Sequence, residues 1–180
     1  MQRHRSGGHR AAVRFRTAGL VVLAAHLVFV AWFTLRPLDV PWVSAANLHP
    51  LAGIRADLAL GWRAGGLRIA EGLLLLAPLG VLLPLAGGRL HVSVWGSLLR
   101  TVAAGALISL GIELLQTGVP GQVVDVDSVL LNTLGVAIAH AVVVPALRAR
   151  LRRRPDLVSL PREEPAQGPT PTIPRVGIAP

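Results

Sequence analysis

Cysteine and lysine do not occur in the 180-residue chain, and charged side chains make up only 15% of it. Without cysteine there are no disulfides, no thiolate metal sites and no thiol catalysis, and the redox compartment is left unread. Without lysine, all 18 basic residues are arginine, a bias that GC-rich coding also produces. A soluble domain carries about 25% charged residues, so the shortage points away from one. Catalytic signatures are missing too: the chain has no HExxH, no GxSxG and no Walker sequence. A zinc protease, an α/β-hydrolase and an ATP-driven pump are therefore unsupported. No cofactor and no metal centre is expected.

Hydrophobic residues make up 52% of the chain, gathered into runs separated by polar or Pro/Gly-rich pieces. That is the pattern of membrane spans. The expected fold is all-α, an integral membrane bundle of about four transmembrane helices. Residues 1–16 form a basic tail with Arg3, Arg5, Arg10, Arg14 and Arg16. The run 17–35 has no formal charge and, at about 1.5 Å per residue, reaches across a hydrocarbon core of about 30 Å. It is longer than a signal-peptide core and ends in Trp32, Phe33 and Arg36-Pro37, so an uncleaved span is expected. Residues 36–66 read as a loop on the membrane surface, anchored by Trp42 and Trp62. The second span is expected at 67–86, kinked by Pro78.

After a turn at Gly87-Gly88-Arg89, the third and fourth spans are expected at 95–116 and 128–147. Gly105 with Ser109, and Gly135 with Ala139, are small-residue pairs that let helices approach closely. Arg100 lies near the start of the third span, where it can snorkel to the interface. Residues 148–180 form a second tail, first Arg-rich and then Pro-rich, with the Pro-rich part expected to be disordered. Both tails place five arginines beside a span, so the positive-inside rule puts both termini in the cytoplasm. No nucleic-acid-reading motif accompanies the arginines, so the bilayer rather than a nucleic acid is the expected partner.

Polar residues inside spans are expensive and tend to be functional. Ser109, Glu113 and Gln116 share one face of the third helix by spacing. Asp125 and Asp127 precede the fourth span, and Ser128 and Asn132 are four apart on it. The short connection makes these two helices antiparallel neighbours, so their polar faces can meet. With the orientation above, the cluster lies at the outer membrane face. Three carboxylates there should raise one another's pKa or bind a cation. The plainer alternative is that Asp125 and Asp127 only cap the fourth helix at its N-terminus, with Asp127 or Ser128 as its N-cap residue. Glu71 is a further candidate, although Arg68 is well spaced to pair with it. His26 and His140, each alone in an apolar helix, read as packed or hydrogen-bonded residues.

The run 109–135, SLGIELLQTGVPGQVVDVDSVLLNTLG, resembles the VanZ-like membrane protein family. The matching pieces are Glu113 and Gln116, Pro120-Gly121, Asp125 and Asp127, and Asn132-Thr133 with Gly135. In order before them come Leu35 to Pro37, Asn47 with Pro50, and Pro78-Leu79-Gly80, so the similarity spans about residues 17–140. The chain departs from the pattern at Gln122, where the family's turn carries Arg, and at Ser128, where an adjacent Asp is common. It also has Gly72, beside Glu71, where an Asn is favoured. The family's founding member is linked to teicoplanin resistance, and most members have no established activity. The resemblance therefore implies a bacterial cell-membrane protein acting at the envelope.

Three functions follow as expectations. The first is binding of an envelope lipid or glycopeptide through Glu113, Gln116, Asp125, Asp127 and Asn132, with Glu71, Ser109, Gln122 and Ser128 as secondary candidates. The second is an intramembrane, metal-assisted hydrolase or transferase acting on a lipid-linked phosphate. The third is a structural or partner subunit whose polar residues hold helices together.

Overall fold

The computed structural model describes residues 6–39, 45–87 and 93–152. Six helices follow one another: α1 Ser6–Thr34, α2 Ala52–Ala59, α3 Ala64–Leu76, α4 Leu79–Gly87, α5 Val94–Gln116 and α6 Val126–Arg152. Four stretches are long and apolar enough to cross a membrane: Arg16–Thr34, Ala64–Gly87, Val94–Gln116 and Val126–Leu147. The all-α, four-span expectation is met. Trp42, Gly88 and Arg89 of the expected turn, and the Pro-rich segment 155–180 lie outside the described residues.

The second span is two helices rather than one kinked rod. Pro78 has no N–H to give, α3 ends at Leu76, and α4 restarts at Leu79. His26 of α1 lies beside the Leu75 carbonyl at this break. The loop after α1 also holds more structure than expected, because α2 folds within it.

Helix α6 is central and packs on α3, α4 and α5, while α1 lies mainly against α4. The backbone approaches are close. A Cβ on Gly135 would fall 1.8 Å from the Leu73 carbonyl oxygen of α3, and one on Gly80 of α4 would fall 2.4 Å from the Val136 carbonyl oxygen of α6. Only glycine permits these contacts.

The core is small: Val30, Leu76, Leu79 and Val136 are buried, with Leu23, Leu27, Leu75, Leu83, Ile108 and Ile112 packed around them. Leu99, Leu107, Leu114, Val142 and many other large apolar side chains face outward. Helix α5 makes the inversion clear. Its buried residues are Ser97, Thr101, Gly105, Ser109 and Glu113, one every fourth position. The i, i+4 ridge faces the bundle and the leucines face away, an arrangement that suits lipid rather than water. Trp32 and Trp62 lie exposed at one end of the bundle and Trp95 at the other, where membrane interfaces favour indole rings.

Candidate functional site

The α1–α3 connection and the α5–α6 connection meet at one end of the bundle. Their backbones pair directly: the Asn47 N–H donates to the Val124 carbonyl at 3.0 Å, and the Val126 N–H donates to the Asn47 carbonyl at 3.0 Å. The Leu38 N–H donates to the Pro120 carbonyl at 3.1 Å.

Asp127 is 2% exposed and is the most heavily bonded side chain of this end. Its carboxylate accepts from the backbone N–H of Leu51 at 2.5 Å, Gly53 at 2.7 Å and Ile54 at 3.2 Å, and from Asn47 Nδ2 at 3.2 Å. Leu51 holds a left-handed φ of 68° immediately before α2, which brings its N–H into the same cradle. Asp127 thus caps α2, a helix far away in sequence, where the positive end of the helix dipole favours an anion.

Of the residues expected to cap the fourth helix, Asp125 does so, while Asp127 and Ser128 do not take the N-cap position. Asp125 Oδ1 accepts from the Asp127 N–H at 3.0 Å and its Oδ2 accepts from the Ser128 hydroxyl at 3.1 Å, the geometry of an N-cap one residue before α6. Asn47 Nδ2 also donates to Asp125, at 2.8 Å.

Gln116 and Gln122 serve a different element. Both Nε2 groups donate to the Thr34 carbonyl, at 3.1 and 3.3 Å, and Gln122 also donates to the Arg36 carbonyl at 3.3 Å. These carbonyls end α1 and lack helical partners. Gln122 therefore does work that an arginine's N–H groups could also do.

Glu113 is 5% exposed on the last turn of α5. Its Oε2 accepts the Asp125 N–H at 2.8 Å, and no hydrogen bond reaches Oε1. One turn deeper, Asn132 Nδ2 donates to the Ser109 hydroxyl at 3.0 Å, while the buried Asn132 Oδ1 has no partner. Glu113, Gln116, Asp125, Asp127 and Asn132 thus share one end of the bundle with Ser109, Gln122 and Ser128. Glu71 is separate and exposed, and the expected Arg68 pairing does not form, because Arg68 bonds Asp57 at 3.2 Å. Among the described residues no three acidic or histidine side chains are grouped to hold a metal. Asp125 and Asp127 already spend their oxygens on N–H and O–H donors.

Asn47 was the residue least visible in the sequence. It touches both aspartates and pairs the two loops, yet its only signal was its place in the family pattern.

Comparison with known proteins bears on the same segment. No curated protein and no solved structure matches the chain. The VanZ/LLP1 family model matches residues 23–148, well over half of the chain. That stretch begins within α1 and ends beyond the last span, enclosing α2 and every residue of the polar end. The chain belongs to the VanZ/LLP1 family.

Proposed function

We propose that this protein binds the head group of an envelope lipid or glycopeptide at the polar end of its bundle, with Glu113 and Asn132 as the contacting residues. The observation that carries this reading is the position of Glu113. Burial, the negative end of the α5 dipole and the neighbouring Asp125 all oppose a carboxylate there. A residue serving only as an acceptor for one N–H has cheaper replacements. Its free Oε1 and the unpartnered Asn132 Oδ1 are both acceptors, which suits a ligand that brings N–H or O–H donors, such as sugar hydroxyls or an ammonium group.

Asp125, Asp127, Gln116 and Gln122 form the frame of this site. Among the described residues no arginine side chain bonds Glu113, Asp125, Asp127 or Asn132, which makes the polar end a poor clamp for a lipid phosphate. The arginine-rich termini favour an orientation with both tails in the cytoplasm and this site facing outward, in a bacterial cell membrane.

Glu113→Gln keeps an acceptor for the Asp125 N–H, so the fold is spared while the charge is lost. In a deletion strain, Glu113→Gln and Asn132→Ala at wild-type expression should fail to restore envelope and teicoplanin phenotypes. Full complementation by both variants sinks the proposal. Single cysteines at Ala56 and Gly118, both exposed near the site, should label from outside in the cysteine-free background, and one at Arg150 only after permeabilisation. Labelling of Gly118→Cys from the cytoplasm alone would reverse the orientation.

A further inference from the structure

The opposite end of the bundle carries a second feature, independent of the polar end. A cleft of about 300 Å³ opens between α4 and α5, lined by Leu83, Pro84, Gly87, Ser97, Arg100, Thr101 and Ala104. Arg100 is the one cation within the described part of α5, about 9 Å along the helix from Val94. Among the described residues no carboxylate pairs with it, and the ion pair they form is Arg68 with Asp57. Two hydroxyls accompany it, those of Ser97 and Thr101, both on buried residues. Ser97 is held from behind by the fully buried His140, whose Nε2 lies 3.1 Å from the Ser97 hydroxyl.

A guanidinium beside two hydroxyls, in a cleft walled by apolar residues of two helices, matches a phosphate attached to an apolar body. Arginine offers a planar fork of donors that fits phosphate oxygens. An arginine within a span is stabilised by an anion, and among the described residues no carboxylate supplies it. Basic pockets between transmembrane helices take anionic head groups in this way. Arg14, Arg16 and Arg150 lie at the same end of the bundle by chain direction, which raises the local concentration of anions without defining a site.

We infer that the α4–α5 cleft binds a phosphate group through Arg100, Ser97 and Thr101. The chemistry is shared by an anionic phospholipid head group and by free phosphate. The apolar lining from Leu83, Pro84 and Ala104 favours the lipid.

The test uses the full-length protein in nanodiscs, with native mass spectrometry reading bound lipid. Phosphatidylglycerol should bind wild type, and Arg100→Gln should weaken it about tenfold, the weight of one charge-assisted hydrogen bond. Arg150→Gln, an exposed arginine at the same end, should change it less than about twofold. In phosphatidylcholine-only nanodiscs, inorganic phosphate should produce no Arg100-dependent binding if the lipid is the source. Arg100-dependent phosphate binding there instead assigns the cleft to a soluble phosphate. Equal binding by wild type and Arg100→Gln in both arms, or an equal loss in Arg150→Gln, overturns the inference. Arg100 is exposed, so its substitution should leave the folded state intact, and an unchanged thermal midpoint in detergent checks this.

Discussion

The two ends of the bundle solve the same problem differently. At the loop end, nearly every polar side chain is bonded to backbone: Asp127 to the first turn of α2, Asp125 to the first turn of α6, and Gln116 and Gln122 to the last carbonyls of α1. At the arginine-rich end the contacts include close helix packing, the Ser93 hydroxyl that caps α5 by accepting the Gly96 N–H, and the bond between Ser97 and His140. The end of α1 and the starts of α2 and α6 meet at the loop end beside the end of α5, each leaving unsatisfied N–H or C=O groups. Near a membrane those groups must be satisfied by the protein. Four acidic or amide side chains do so, and this explains why they cluster there without needing a metal. Glu113 and Asn132 stand apart because the framework leaves one acceptor on each unused.

The largest break in this contrast should come from Asp127→Ala. It strands the N–H groups of Leu51, Gly53 and Ile54 together with the Asn47 amide, and should cost about 3 kcal/mol or more. Thermal unfolding in detergent measures it; a midpoint near wild type would mean that water replaces the carboxylate and the loop end is not held as described.

Next, Gly135→Ala should cost about 3 kcal/mol by forcing α6 off the Leu73 carbonyl, at the upper end of overpacking penalties. Gly105→Ala meets only the Val136 side chain at 3.0 Å and should cost about 1 kcal/mol. Equal penalties would show that backbone approach does not set the packing.

Asp125→Ala removes the α6 cap and should cost about 1–2 kcal/mol, while Asp125→Asn or Asp125→Ser recovers most of it. At the opposite end, Ser97→Ala removes one hydrogen bond and should cost about 1 kcal/mol. A loss matching Asp127→Ala would erase the difference between the ends. The smallest effect is expected of Gln122→Arg, within about 0.5 kcal/mol of wild type, since arginine can donate to the same α1 carbonyls.

Much of this was readable in advance for particular reasons. The spans follow from runs of apolar residues long enough to cross a bilayer, and the expected ends at 95, 116 and 128 lie within about two residues of those of α5 and α6 because polar residues mark them, whereas α6 continues past 147 to Arg152. The meeting of Ser109 with Asn132 was readable because a short loop forces antiparallel neighbours. The break at Pro78 was visible as a kink, although its depth was not. Pairings across long separations were hidden. Nothing local tells Asp127 to serve α2 rather than α6, or Arg68 to choose Asp57 over Glu71, because spacing rules reach only within one helix and the chosen partners lie on another.

Hydrophobic run length and arginine placement, which act locally and additively, were sufficient for the membrane class, the number of spans and the neighbourhood of the polar residues. The partner of each polar residue depended on which helix termini arrived beside it. A carboxylate bonds the donors within its reach of about 3 Å, and only the tertiary approach of the two loops, close at Gly53 beside Asp127 and Asn47 and at Gly121 beside the Leu38 carbonyl, brings those donors there.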